Sequence, residues 1–507
     1  MSCYRVLSCV ALGLMLSACL PAKADPPNVL LILVDDLKPS FGAYGADWVH
    51  SPNLDRLADR GMRFNFAYCN QAVCAPSRNN LMTGSRSTSL GVYGLSMNFR
   101  RAVPDAVTMP QFFRKHGYTA EGVGKVFHIG HGNTDDTASW STPFFPEKVI
   151  DYALPESNEG KLTREEAYFS NQELGRIHEL PRGAAWERAD VPDDAYSDGR
   201  IANEGIRRLQ QAKESDQPFF LALGFVKPHL PFCAPEKYWA LYDDVDLPIA
   251  TVRDYPVGAP SYAPKDKHGE LNQYKPIPQD PPLDPAVERN LVQGYYSALS
   301  YMDAQVGRVI DEVDRLGLAE NTIIVLWGDH GYHLGDHGMW TKHTNYEQAN
   351  RIPIIFAGPG VARPGSESDA LVETVDIYPT LAALAGLPTP EGPQPIDGES
   401  LAGILQGSEQ AVRDHAYHAF PRGGGRIGQA VRTHRYRLVE WKQFRGNDPP
   451  EYELYDYETD PLETRNLADD KPEIVAELKK MLDTHPEAVP AGGLKNYLKS
   501  QAAKKSP

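Results

Sequence analysis

The sequence predicts an α/β fold, a large and mostly parallel sheet sandwiched by helices, followed by a smaller C-terminal α+β domain. Three observations predict it. Largely unbroken apolar runs recur at residues 29–34, 219–225, 322–327 and 352–356, and a strand that is apolar on both faces belongs in a sheet covered on both sides. Helical periodicity lies between these runs, over residues 54–60, 200–212 and 296–316. That alternation marks α/β layering. The texture then changes at Pro421-Arg422-Gly423-Gly424-Gly425, where a glycine cluster punctuates the chain.

In chain order, residues 1–24 read as an export signal. Arg5 supplies a short positive start, residues 6–20 are largely apolar, and Ala22-Lys23-Ala24 forms a small-x-small cleavage site before Asp25. The run is too short and broken to span a bilayer. Leu16-Ser17-Ala18-Cys19 also matches a bacterial lipobox, so a periplasmic or secreted protein and a lipoprotein anchored at Cys19 are both open. Residues 25–425 read as one large domain. Its first apolar run ends in Asp35-Asp36, the second leads into Lys227-Pro228-His229, and the third into Gly328-Asp329-His330. Ligands of open α/β sheets collect beyond the carboxyl ends of the strands, so three strands deliver polar residues to one edge. Residues 247–285, rich in proline and polar groups, predict a long surface excursion near the substrate mouth. Residues 426–507 read as the small domain, with strands near 426–432, 436–441 and 452–457 and a helix near 473–482; the boundary falls at the triple glycine.

Composition narrows the function. Beyond the leader, 49 basic residues face 67 acidic ones, a surface that disfavours nucleic acid and broad contact with long polyanions. An anionic substrate must therefore meet a focused positive pocket. Three of the six cysteines lie in the leader. Of the rest, Cys69 and Cys233 read equally as one disulfide or two isolated buried thiols.

The chemistry concentrates in a few motifs. Cys74-Ala75-Pro76-Ser77-Arg78 has the spacing C-x-P-x-R; a helix starting inside it would put Cys74 and Arg78 on one face. Asp35, Asp36 and Asp329 are hard oxygen ligands suited to Ca²⁺ or Mg²⁺, and adjacent carboxylates repel unless cations lie between them. In Gly124-Lys125-Val126-Phe127-His128, a cation and an imidazole three apart can grip an anion and move a proton. Each has a plainer reading: a buried thiol in a turn, an N-cap beside a solvated carboxylate, and a surface turn.

With Trp340-Thr341-Lys342, Asp376-Ile377-Tyr378-Pro379 and Glu453-Leu454-Tyr455-Asp456, these motifs resemble the type I sulfatases of the alkaline phosphatase superfamily, most closely the iduronate-2-sulfatase branch. The resemblance covers nearly all of the chain beyond the leader. It implies an alkaline-phosphatase-like, large mixed sheet and hydrolysis of a sulfate ester on a saccharide, a 2-O-sulfated uronic acid, while the bacterial-looking export signal equally permits an algal polysaccharide. It implies that a formylglycine-generating or sulfatase-maturing enzyme oxidises Cys74 to formylglycine, and that one Ca²⁺ is held by Asp35, Asp36, the oxidised Cys74, Asp329 and His330. His330 stands where the commonest sulfatases carry Asn; imidazole is a soft partner for a hard cation, but the same Asp-His pair marks the branch. The resemblance further assigns Arg78 to the formylglycine diol and Lys125, His229 and Lys342 to the sulfate. His229 or Lys342 would protonate the leaving oxygen, and His128 would act as base in sulfate release. Lys227 reads as a substrate contact or a solvated lysine; His131, His333, His337 and His343 read as structural or rim residues. Two rivals stand beside this: a metal-dependent phosphohydrolase of the same superfamily, and a non-catalytic binder of sulfated glycans.

Overall fold

The computed structural model describes residues 25–265, 268–446 and 448–492; the leader, with Cys19 and its cleavage site, lies outside them, as do residues 493–507. Among the described residues nine strands precede the small domain: β1 Asn28–Val34, β2 Gly61–Tyr68, β3 Thr119–Gly124, β4 Trp186–Ala189, β5 Phe219–Phe225, β6 Phe232–Pro235, β7 Thr322–Gly328, β8 Ile354–Ala357 and β9 Ser366–Glu373. Seven of them form one sheet in the order β3-β5-β1-β7-β8-β2-β9, while β4 and β6 pair apart. The neighbours β3, β5, β1 and β7 are parallel. β8 runs antiparallel to both β7 and β2, so the fourth apolar run is a strand but not a parallel one. Continuous apolar residues report burial on two faces; they carry no information about direction. In β1 that double burial is explicit. Leu30, Ile32 and Val34 enter one core cluster, while Val29, Leu31 and Leu33 enter the other, as a period of two requires.

The helices used below are α1 Pro52–Asp59, α2 Cys74–Thr83, α3 Arg164–Ser170, α4 Ser197–Lys213 and α5 Pro285–Arg315. α5 begins eleven residues before its sequence pattern did, because Asp284 caps it by accepting from the Ala286 N–H and Pro285 opens the first turn. Between β6 and α5, the described residues of 246–284 are irregular apart from a 3₁₀ turn at Gly269–Gln273 and isolated bridges at Val257 and Lys275. As its composition predicts, most of it lies at the surface, with Tyr255 and Val257 exposed, but Ala263, His268, Leu271, Tyr274 and Ile277 anchor it in the core.

The small domain is an antiparallel sheet of β10 Ala416–Arg422, β11 Arg426–Arg432, β12 Tyr436–Gln443 and β13 Glu451–Asp456, packed under α6 Pro472–Leu482. Tyr417, Val431, Leu438 and Leu454 meet Leu478 and Leu482 of α6. The domain boundary expected at the triple glycine must move back before Ala416. Gly423–Gly425 turns the hairpin between β10 and β11, with Gly424 and Gly425 at positive φ (73° and 70°), where glycine alone is unstrained. Cys69 and Cys233 are free buried thiols in different core clusters, so the isolated-thiol reading holds and the disulfide does not. Among the described residues no helix is long and apolar enough to cross a membrane.

Candidate active site

The site lies beyond the carboxyl ends of the parallel strands. β1 hands over to Asp35-Asp36, β7 to Asp329-His330, β5 to the loop carrying His229, and β3 to Lys125 and His128. Backbone contacts lock the first two ends together: the Asp329 N–H donates to Val34 O at 3.0 Å and the Asp36 N–H to Asp329 Oδ1 at 3.1 Å. Asp36 has a φ of 57°, a left-handed conformation that Asp tolerates better than most residues. α2 opens at Cys74 and all ten of its residues are buried, so Arg78 falls one turn along on the same face, as its spacing predicts. Lys125 is set by glycine. A Cβ on Gly224 would lie 2.2 Å from the Lys125 backbone, which approaches closely enough for the Lys125 N–H to donate to Gly224 O at 2.8 Å.

One wall of the pocket is acidic. Asp35, Asp36, Asp329, His330 and Arg78 are fully buried, and Cys74 and Lys125 nearly so. Arg78 donates from Nε to Asp329 Oδ2 at 3.0 Å, reaches Asp35 through its other arm at 3.3 Å, and bonds the Lys125 and Val126 carbonyls. Its fork is thus held by the carboxylates and the β3 end. Lys125 pairs with Asp35, and Lys342 with Asp36 at 3.2 Å. Burial alone would raise the Asp35 pKa, but Lys125, His229 and Arg78 together outweigh it and hold the carboxyl well below its usual range. Asp36 is pushed up to about 7 by burial, with Asp35 and Glu270 adding to it against Lys342. Burial and then Asp35 push Asp329 well up against Arg78. Burial, then Asp35, also raise the Cys74 thiol, which disfavours a thiolate nucleophile.

Within this wall, Asp35, Cys74, Asp329 and His330 each offer a ligand atom, all within 4.8 Å of one another. His330 places Nε2 3.2 Å from Cys74 Sγ and Nδ1 3.1 Å from Asp36 Oδ1. The buried Oδ1 atoms of Asp35 and Asp36 accept no hydrogen bond. Three carboxyls, two of them with pKa values raised by crowding and burial, leave a donor set that fits a hard divalent cation.

The other wall carries imidazoles around one ring. Phe169 of α3 lies 5.6 Å from His128, 5.2 Å from His131 and 5.5 Å from His229 (ring centroids), with Lys125 Nζ 4.9 Å away. His128 Nε2 meets His131 Nδ1 at 3.1 Å, while its own Nδ1 has no partner. Burial, then Lys125 and His131, lower the His128 pKa well below the usual value. His229 Nε2 faces Glu270 Oε1 at 3.2 Å, and Glu270 Oε2 takes a contact from Lys342 at 2.6 Å. The turn that aims His229 is braced from both sides. Asp198 of α4 accepts the Val226 and Lys227 N–H groups at 2.7 and 3.1 Å. Lys227 Nζ donates to the carbonyls of His229 and Pro231, so Lys227 is neither a substrate contact nor a solvated side chain.

The residues that the resemblance assigns to the reaction and the metal, Asp35, Asp36, Cys74, Arg78, Lys125, His128, His229, Asp329, His330 and Lys342, therefore gather in one cluster. Sequence reasoning missed Glu270, Phe169 and Asp198, and it left His131 at the rim although it bonds His128. The periodicity and the motifs carry no signal for the first three. His333 and His337 are buried and bond Thr344 Oγ1 and the Asp254 carbonyl, in keeping with structural roles.

Two family models match the chain, one described as sulfatase over residues 27–387 and one as N-sulphoglucosamine sulphohydrolase, C-terminal, over residues 335–488. Iduronate 2-sulfatase of Homo sapiens is 33% identical, the alignment covering 91% of this chain and 94% of that protein. A solved structure described as in complex with its substrate D-glucosamine-2-N,6-O-disulfate superposes with a TM-score of 0.68 at 21% identity, covering 91% of this chain and 99% of the other. The phosphonate monoester hydrolase of Silicibacter pomeroyi superposes with a TM-score of 0.69 at 23% identity, covering 90% and 95%. At those identities the two structures speak for the shared alkaline-phosphatase-like fold.

Proposed function

The chain belongs to the sulfatase family and is a sulfuric ester hydrolase, and on that premise we propose that it removes a 2-O-sulfate from a uronic acid of a glycosaminoglycan-like saccharide. The observation that carries the chemistry is the buried meeting of Cys74 with Asp35, Asp329 and His330, flanked by Lys125, Lys342 and His229. The substrate class rests on the identity with iduronate 2-sulfatase.

In this reading Cys74 is converted to formylglycine by a sulfatase-maturing enzyme, and its Sγ stands where the oxidised side chain's oxygen would lie. Formylglycine would supply an oxygen nucleophile with a second hydroxyl for product release; one Ca²⁺, held by Asp35, Asp36, Asp329, His330 and position 74, would supply charge neutralisation. The chain's own residues do the rest. Arg78 keeps Asp35 and Asp329 apart and oriented. Lys125 and Lys342 are placed to bind sulfate oxygens and offset the charge that builds on them. His229 or Lys342 would give a proton to the leaving oxygen, and His128, held neutral by burial, Lys125 and His131, can take one during sulfate release. The export signal supports a periplasmic or secreted enzyme, with anchoring at Cys19 as the other form.

A desulfation screen on defined sulfated saccharides, with protein coexpressed with a maturing enzyme, tests the substrate. Turnover confined to 2-O-sulfated uronates is expected; turnover only of other sulfate positions would overturn it. Peptide mass analysis should find formylglycine at position 74 in the active protein, and metal analysis one Ca²⁺ per chain. Two zinc ions with preferential phosphoester cleavage would favour the phosphohydrolase rival.

A further inference from the structure

Glu270 belongs to no motif, yet both its oxygens engage side chains that the reaction needs. It sits in the turn Gly269–Gln273, pinned by the buried Leu271 and Tyr274. Oε1 lies 3.2 Å from His229 Nε2 and Oε2 lies 2.6 Å from Lys342 Nζ, which in turn is 3.2 Å from Asp36 Oδ2.

The hydrogen-bond chemistry fixes a proton there. His229 Nδ1 contacts the Leu230 carbonyl, and a carbonyl oxygen can only accept, so Nδ1 carries a hydrogen. Nε2 and a carboxylate oxygen would then be two acceptors facing each other at 3.2 Å unless one proton lies between them. A proton shared between His229 and Glu270 would relieve that contact, beside the two lysines that the sulfatase reading assigns to sulfate. Burial, then Lys125 and Lys342, weaken the hold of His229 on a proton, with Asp35 opposing. The groups facing Glu270 are Lys342, Asp36, His131, Tyr274, Tyr332 and Glu165 of α3.

We propose that Glu270 is a positioning residue for leaving-group protonation, holding the transferable proton against His229 Nε2 and fixing Lys342, which makes His229 the proton donor. The proposal rests on the sulfatase reading above. As an oxygen of the oxidised side chain at position 74 bonds to sulfur, the bond from sulfur to the departing oxygen breaks and its electron pair stays on that oxygen, which takes the shared proton. Across the cycle the ester and one water yield alcohol, sulfate and one proton released to solvent. The water's other proton recharges the His229–Glu270 pair.

The test compares Glu270→Gln with wild type on an alkyl or sugar sulfate, whose alkoxide must be protonated, and on 4-nitrophenyl sulfate, whose leaving group departs unaided. We expect kcat to fall about 100-fold on the first, within the range of general-acid catalysis, and at least ten times less on the second. The alkaline limb of the kcat profile on the poor leaving group should move to lower pH, because an anion that favours protonated His229 is gone. Glu270→Asp, which keeps the carboxylate, should recover part of the selective loss, and it serves as the test variant should Glu270→Gln fail to fold. Equal losses on both substrates with an unmoved pH limb would overturn the proposal while leaving the sulfatase reading intact. A wild-type enzyme inactive on every sulfate ester would overturn both.

Discussion

The two walls of the pocket are built by different means. The acidic wall is made at strand ends, from residues that follow β1 and β7 directly and from the first turn of α2. Its charges are locked against one another: Asp35 by Arg78 and Lys125, Asp329 by Arg78, Asp36 by Lys342. The imidazole wall is gathered from loops and α3, around the Phe169 ring. There His128 keeps one ring nitrogen without a partner and His229 meets a carboxylate from a distant turn. Charges that must stay put sit on the rigid edge of the sheet. The groups to which the proposed mechanism gives proton transfer sit on loops, where a partner can be changed without disturbing the core.

The contrast can be broken most sharply at Cys74. Cys74→Ala should lower ester hydrolysis by at least about 10⁴-fold through loss of the nucleophile, with thermal unfolding close to wild type because one small buried atom is lost. Retention of a few per cent of the activity would mean that the acidic wall does not house the reaction.

On the imidazole wall, His128→Ala should slow turnover by roughly 10²–10⁴-fold, the usual worth of a general acid or base, but at a later stage. Rapid-quench kinetics should show a burst of about one equivalent of the alcohol product, with sulfate release lagging behind it. A variant without a burst would put His128 in binding or in the first step.

A smaller effect is expected where the walls join. Gly224→Ala forces a Cβ to within 2.2 Å of the Lys125 backbone, an overpacking that should cost about 1–3 kcal/mol and displace Lys125 from Asp35. Denaturant melts and kcat should both fall; an unchanged melt and rate would show that the end of β3 is not held as tightly as the geometry indicates.

The subtlest difference is one of sign in pH. Asp36 is raised from 3.8 to about 7, and Asp329 is raised too, so the folded acidic wall retains protons that the unfolded chain releases. The stability they contribute is present below about pH 4 and is lost as pH rises through about 7. His128 is lowered well below 6.5 by burial, Lys125 and His131, so its contribution is present above pH 6.5 and lost as pH falls below it. Thermal melts in chelator from pH 5 to 8 should show the acidic wall's loss on the alkaline side, and excess Ca²⁺ should cancel that loss alone. A calcium effect that is the same at both ends of the range would sink the distinction.

What could be read along the chain follows the same division. Asp35-Asp36 and Asp329-His330 were legible because they adjoin apolar strands whose burial their composition declares, and Cys74 and Arg78 because a helical turn links them. The helices α1, α4 and α5 showed in the periodicity, although the start of α5 depended on a cap. The antiparallel sense of β8 was not legible, since burial has no direction. Nor was the place of Gly423–Gly425 inside a hairpin, since a glycine cluster marks a turn without saying what it joins.

The sequence by itself determined the α/β architecture, the acidic edge and the placing of Arg78 one helical turn from Cys74, because these depend on side-chain type, strand ends and spacings of one helical turn. Only the tertiary structure decided the imidazole wall. Glu270 reaches His229 and Lys342 because Leu271 and Tyr274 bury an otherwise irregular stretch, and Phe169 reaches three histidines from α3. Such contacts between segments far apart in the chain are chosen by packing, which leaves no periodic trace in the segment that supplies them.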